Sequence, residues 1–313
     1  MLENNQFLPD KVLDIELELS TYCNASCQLC YRNYKAFEEH YEIKKNGNKI
    51  RDLNEIKTQV KTFRNLKSIK LVGSISEPTI YPKFLELVQF LKDLDLVIEI
   101  CTNGDTRTIE FWEELGRILT KEDEVYFSIC GLKQSTHERY RKGTNLYQIL
   151  KNAAAFRSTS RENKNDYAQC IKFKYNEDEL NSKEFKEFIK DFSNEYQTET
   201  YLLKEDNNYV EPKNIKDLSP VTSKDYEKLS RLVNLKFQSG MKLKTTCMSK
   251  RDKSIQIDIN GNIYPCYLFL EASKGELWDK DYNKIDNLHY DVCKFCESET
   301  QKYCAKHQME YII

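Results

Sequence analysis

Between residues 12 and 204, six short apolar runs alternate with longer stretches of helical spacing. The runs at 12–20, 68–73, 97–104, 124–131, 167–176 and 198–204 read as strands, and the spacing predicts helices over 56–66, 82–94, 108–119, 146–156 and 182–196. Residues 12–20, VLDIELELS, alternate apolar and polar side chains, as a half-buried strand does. In 82–94, Phe84, Leu85, Val88 and Leu91 share a face, and Pro82 stands near the first turn, where proline is tolerated. Ser182 is placed to cap the last of these helices. Such alternation builds parallel βαβ units with right-handed crossovers. Six units suit a partial barrel better than a closed eight-unit one, so the expected fold is α/β, a partial (β/α)6 barrel. In barrels of this kind reactive groups collect at the C-terminal ends of the strands.

The first strand delivers LSTYCNASCQLCYR, residues 19–32, with Cys23, Cys27 and Cys30 in a C-x3-C-x2-C run. Three thiols so close bridge one another poorly but converge readily on a metal centre. Thiolates suit zinc or an iron–sulfur cluster. Structural zinc usually takes four protein ligands, commonly from two separate C-x2-C units. A [4Fe–4S] cube on three local cysteines keeps one iron open to a small molecule.

This loop, following a hydrophobic strand, resembles the cluster loop of the radical S-adenosylmethionine (radical SAM) superfamily. The resemblance implies that Cys23, Cys27 and Cys30 hold a [4Fe–4S] cluster whose open iron takes the amino and carboxylate groups of S-adenosylmethionine. It implies reductive cleavage to a 5′-deoxyadenosyl radical, which abstracts hydrogen from the substrate. Leu29 stands where the superfamily often has an aromatic residue lining the adenine. In the run GSISEP after the second strand, Ser74 and Ser76 replace common glycines while Glu77 and Pro78 are retained. Ser76 and Glu77 would therefore meet the cofactor's ammonium group. Thr102-Asn103-Gly104 resembles the T-N-G turn facing the ribose, and Asn176, at the tip of the fifth strand, is expected near the same sugar. Ser128 and Arg141, in a stretch similar to S-I-D-G…RYR, are candidates for the methionine carboxylate. Cys130 takes the place of that aspartate: as a thiol at the barrel mouth it is a candidate catalytic group, and as a small side chain a buried filler. Cys101 and Cys170 lie inside strands and read as core; His137 reads as structural or exposed.

Cysteines return near the C-terminus. Cys247 and Cys266 flank an expected hairpin turning at Asn260-Gly261-Asn262, Cys293 and Cys296 form a C-x2-C unit, and Cys304 and His307 follow. Four thiolates there suit structural zinc. The pattern is similar to the SPASM/twitch extension of radical SAM enzymes, which implies that Cys247, Cys266, Cys293 and Cys296 hold a second, auxiliary [4Fe–4S] cluster. The domain reading is a core over 1–205, a linker and bridging helix over 206–246, with helical spacing at 223–235, and a small cysteine-rich hairpin domain over 247–313.

Formal net charge is −2, from 48 basic and 50 acidic residues, which points away from nucleic acid and anionic membrane as partners. No apolar run approaches the roughly eighteen residues of a transmembrane helix, and the N-terminus lacks a signal pattern. Eleven cysteines without a signal peptide indicate metal binding or catalysis, and a cytoplasmic location. The expected partners are a peptide or small-molecule substrate and an electron donor such as flavodoxin or ferredoxin. About a dozen residues precede the first strand, so no leader-peptide domain is expected within the chain. The contrasting reading is a non-catalytic protein whose cysteines hold zinc.

Overall fold

The computed structural model describes residues 9–27, 30, 32, 47–159, 165–199 and 253–264. Leu29, the expected helix at 223–235, and Cys247, Cys266, Cys293, Cys296, Cys304 and His307 lie outside them. The chain divides into two compact units, the larger comprising Glu16–Thr62 and Lys67–Val221, the smaller Met1–Ile15, Phe63–Leu66 and Thr222–Ile313.

The larger unit is a mixed α/β layer. Strands β1 (Asp14–Leu17, of which Glu16 and Leu17 fall in this unit), β2 (Ser68–Leu71), β3 (Val97–Thr102), β4 (Glu124–Ser128), β5 (Asn165–Lys172) and β6 (Asn194–Glu199) lie in the order β6-β5-β4-β3-β2-β1. The pairs from β2 to β6 are all parallel. Helices α1 (Leu53–Lys61), α2 (Phe84–Asp93), α3 (Ile109–Ile118), α4 (Leu146–Ser158) and α5 (Lys183–Phe188) connect them. This is the alternation expected of a radical SAM-type partial barrel.

Three of these helices start at a side-chain cap. Asp52 caps α1 by accepting from Asn54 N–H and Glu55 N–H, which starts that helix three residues before its apolar spacing becomes visible. Asn145 caps α4 through Gln148 N–H, and Ser182 caps α5 through Phe185 N–H, as expected. Helix α5 is much shorter than its periodicity suggests. Phe192 turns back beneath Arg157 and against Phe127, and Asp166 accepts from the Ser193 N–H and hydroxyl, so β6 begins at Asn194 instead of 198.

The strands sort their side chains by the period of two. Ile98, Ile100, Val125, Phe127, Ala168 and Cys170 are buried. Phe127 packs 5.3 Å from Trp112 of α3 and 6.0 Å from Phe156 of α4, so this is the helix-covered face. The opposite face carries Glu16, Glu18, Glu99, Cys101, Tyr126 and Tyr167. Cys170 is core, as expected; Cys101 is not. It shares Glu99's face, one residue out of phase with buried Ile100, and is half-exposed. Tyr126 and Tyr167 stack at 4.3 Å on that face, and both hydroxyls donate to Glu124.

In the smaller unit β7 (Ser254–Ile257) and β8 (Ile263–Tyr264) form the expected antiparallel hairpin. Its turn is pinned by Asp258, whose Oδ1 accepts from Asn260 N–H and Asn262 N–H, while Gly261 takes the positive φ of 84°. Leu13 N–H donates to Lys253 C=O at 3.0 Å within the same unit. Among the described residues no helix is long and apolar enough to cross a membrane.

Candidate functional site

The cysteine loop leaves the C-terminal end of β1 and is fastened by backbone hydrogen bonds on three sides. Thr21 N–H donates to Lys49 C=O, Ser26 N–H to Lys142 C=O, and Glu77 N–H to Tyr22 C=O. Arg32 Nη1 adds bonds to the carbonyls of Thr21 and Ile75. The first cysteine is therefore tied to the loop after β2, and the span between the first and second to the segment after the short helix Gln134–His137.

Among the described residues no disulfide joins Cys23, Cys27, Cys30, Cys101, Cys130 or Cys170. Burial pushes all three loop thiols up, Cys27 to about 12, and each of them is raised further by a second loop cysteine or a nearby acid. Arg141 opposes this: its Nη1 lies 4.0 Å from Cys27 Sγ, and its charge favours the Cys27 and Cys30 thiolates. Asn103 Nδ2 donates to Cys23 Sγ at 3.4 Å and to Asn24 Oδ1 at 2.9 Å, while Asn103 Oδ1 accepts from Arg141. Asn24 is held in turn by Asp105.

Among the described residues no three His, Cys, Asp or Glu side chains are drawn around one ion-sized point. A single zinc needs its thiolates about 2.3 Å from one metal. A cube instead places each thiolate on a different iron and so spaces them more widely. Soft donors that sense one another's charge, with a guanidinium beside them, fit an iron–sulfur cube.

The other expected site residues fall into two groups. Asn103 and Arg141 stand beside the thiols, and Ser128 ends β4, buried, in register with Gln169. Ser76, Glu77, Asn176 and Cys130 have their polar groups engaged inside the protein. Ser76 Oγ donates to Glu18 Oε2 at 3.0 Å. Buried Glu77 accepts from the Thr79 hydroxyl and N–H, the Thr102 hydroxyl and Asn103 N–H. It is a brace between the loop after β2 and the end of β3; burial pushes its carboxyl up, against these bonds. Asn176 has no exposed surface and binds Cys130 C=O, Ile171 C=O and Phe173 N–H, so it serves the strand end. Cys130 is fully buried with Cys27, Tyr140 and Phe173, which agrees with the filler reading.

Several contributors escape the sequence patterns. Glu16 accepts from Ser74 at 2.6 Å, and Glu18 from Ser76 and Ile75 N–H, so the two serines in place of glycines are each held by a β1 carboxylate. Burial raises the Glu18 carboxyl to about 7, assisted by Glu16. His137 is wholly buried: Nδ1 accepts from Cys130 N–H and Nε2 faces the Thr144 hydroxyl, so it is structural. Period two along β1 is the signal that places Glu16 and Glu18 on one face; nothing local marks their partners.

Residues 17–168 match the Radical SAM superfamily. That match spans just under half of the chain. The chain is 32% identical over 113 residues to the tungsten-containing aldehyde ferredoxin oxidoreductase cofactor-modifying protein of Pyrococcus furiosus, a match covering 36% of this chain and 29% of that protein. A second match, 28% over 106 residues, is to the GTP 3',8-cyclase of Haemophilus ducreyi and covers 33% of this chain and 29% of the cyclase. The chain thus aligns with less than a third of either curated relative. Among solved structures, Streptococcus suis SuiB bound to precursor peptide SuiA superposes with a TM-score of 0.56 at 14% identity, covering 95% of this chain and 67% of SuiB. Native anSMEcpe with bound AdoMet and Cp18Cys peptide superposes at 0.61 and 19% identity, covering 94% of this chain and 87% of that one. These likenesses establish the shared fold.

Proposed function

We propose that this chain is a radical SAM enzyme that modifies a peptide, with Cys23, Cys27 and Cys30 holding a [4Fe–4S] cluster and S-adenosylmethionine beside it. When bound, this pair supplies the 5′-deoxyadenosyl radical that takes a hydrogen atom from the substrate. The observation that carries the reading is the loop itself: three neighbouring thiols, Cys27 buried and Cys23 and Cys30 half-buried, with a guanidinium and a carboxamide aimed at two of their sulfurs. Asn103 fixes the orientation of Cys23, Arg141 offsets the charge of the thiolates, and Glu77 holds Asn103 in place. Burial of the loop excludes water from the radical chemistry. The reduced state would be reached with an electron donor such as flavodoxin or ferredoxin.

What favours a peptide is that two proteins crystallised with peptides share the fold over nearly the whole chain. The curated relatives, which match about a third of it, favour a small molecule as the second reading. Cys247, Cys266, Cys293 and Cys296 are proposed to hold an auxiliary [4Fe–4S] cluster of the SPASM/twitch kind, supported by the hairpin between the first two. A structural zinc is the competing occupant. The test is anaerobic reconstitution followed by dithionite and S-adenosylmethionine. The expected product is 5′-deoxyadenosine, and its absence sinks the proposal. About eight iron and eight sulfide per chain is expected for two cubes; about four with bound zinc assigns the C-terminal site to zinc.

A further inference from the structure

Two donors near the cysteine loop are buried with no hydrogen-bond partner among the described residues: Arg141 Nε and the Tyr175 hydroxyl. A buried N–H or O–H left unpaired is costly and uncommon in a native protein. Two in one neighbourhood point to an acceptor that arrives with a ligand. The neighbourhood is shared: Tyr175 packs on the cluster formed by Cys27, Cys130, Tyr140 and Phe173, and Arg141 reaches Cys27. The charges felt by the Tyr175 hydroxyl are those of Cys130, Arg139, Arg141 and Glu179. Glu179 is already taken by Leu132 N–H, Lys133 N–H and the Thr136 hydroxyl. Arg139 lies over the ring, 4.4 Å from its centroid.

The tyrosine is held rigidly. Its ring stacks on Phe173 at 5.6 Å and 14°, and Phe173 packs on Tyr140 at 4.9 Å. Arg141 is braced by its contact with Asn103 and by the Tyr140 ring at 5.2 Å. A cationic N–H and a neutral O–H in one neighbourhood suit a carboxylate, whose two oxygens accept separately. A ribose hydroxyl or an adenine would not use the charge.

We propose that Tyr175 joins Arg141 in holding the carboxylate of S-adenosylmethionine, the hydroxyl donating to one oxygen and the Arg141 Nε–H to the other. This rests on the radical SAM reading and adds to it Tyr175, the residue before Asn176, to which the sequence assigns no role. Tyr175→Phe keeps the ring and its stacking and removes only the donor.

The experiment measures equilibrium binding of S-adenosylmethionine and of its decarboxylated analogue to the reconstituted, unreduced protein, wild type and Tyr175→Phe, after iron per chain is shown to be equal. Loss of a hydrogen bond to a charged acceptor should weaken S-adenosylmethionine about ten- to hundredfold. The analogue, lacking the carboxylate, should bind both proteins alike. Equal weakening of both ligands, or loss of iron from the variant, would assign the hydroxyl to the cluster and overturn the proposal. Unchanged binding of both ligands overturns it too, while leaving the radical SAM reading intact. If wild type binds no S-adenosylmethionine, both fall together.

Discussion

The Thr102 hydroxyl donates to Glu77 at 2.6 Å, tying the end of β3 to the loop that follows β2. The same carboxylate receives Asn103 N–H at 2.6 Å, and Asn103 carries the bond to Cys23. Glu77 thus acts on the cysteine loop at one remove. Glutamine there replaces an acceptor with an N–H facing donors. Glu77→Gln is expected to lose about 2–4 kcal/mol of stability, because one or more buried donors lose their partner. Urea unfolding measures the loss. Iron retention should fall as well, since Asn103 is released; a variant as stable as wild type would show that the brace is not needed.

Glu18 sets a pH dependence whose sign follows from its raised carboxyl. Its folded value of about 7 lies above its ordinary 4.5, so the folded chain keeps a proton that the unfolded chain gives up. The stability contributed is complete below about pH 4.5 and is lost as pH rises towards 7. The loss is bounded by about 3 kcal/mol. Glu18→Gln, which still accepts from Ser76, should remove this slope. Urea titrations of the cluster-free protein at pH 5 and pH 7.5 should show the wild type gaining on the variant as pH falls; parallel curves would show that Glu18 ionises normally.

His137 acts in the opposite direction. Burial, with Arg141 nearby, lowers it from 6.5 to about 3. The folded chain therefore refuses a proton that the unfolded chain accepts below about pH 6.5, and this stability is lost as pH falls. His137→Ala leaves Cys130 N–H without its acceptor and opens a cavity, which should cost about 2–4 kcal/mol at pH 7.5. The gap between wild type and variant should narrow on acidification from pH 7 to pH 5. A constant gap would mean that the imidazole is already charged in the fold.

How much of this was legible in the chain depends on the distance over which each cause acts. The cysteine spacing, the Ser182 cap and the Asn-Gly-Asn turn are local chemistry, and each appears where its residues say it should. The partners of Glu77 lie up to 26 residues away, and those of Glu18 58 away, so no local pattern reveals that these acids brace loops. Asn176 is held in the same way, by two carbonyls and one N–H that no strand-tip pattern announces. The end of α5 was overrun because amphipathic spacing continues through residues whose job is to return Phe192 to the core. Tyr175, within the fifth-strand stretch KFKYNE, has no role legible in its neighbours, and its buried hydroxyl is what distinguishes it.

Gly104 separates two costs that glycine substitutions usually mix. It follows Asn103 with φ of 78°, and a Cβ there would lie 2.8 Å from Phe127 Cδ1 and 3.1 Å from Ile149 Cγ2. Its carbonyl also accepts from buried Asn152 at 2.8 Å, which limits backbone relief. Gly47 has nearly the same φ, 73°, with nothing within 4 Å of a Cβ. Gly47→Ala should therefore report the dihedral cost alone, about 1 kcal/mol. Gly104→Ala adds displacement of the Phe127 ring from its place between Trp112 and Phe156, for a total of about 2–4 kcal/mol. Thermal melts of the two variants should differ by several degrees. Because Asn103 moves with its neighbour, Gly104→Ala should also bind less iron than Gly47→Ala; equal melting points and equal iron would show that the turn carries no strain at the site.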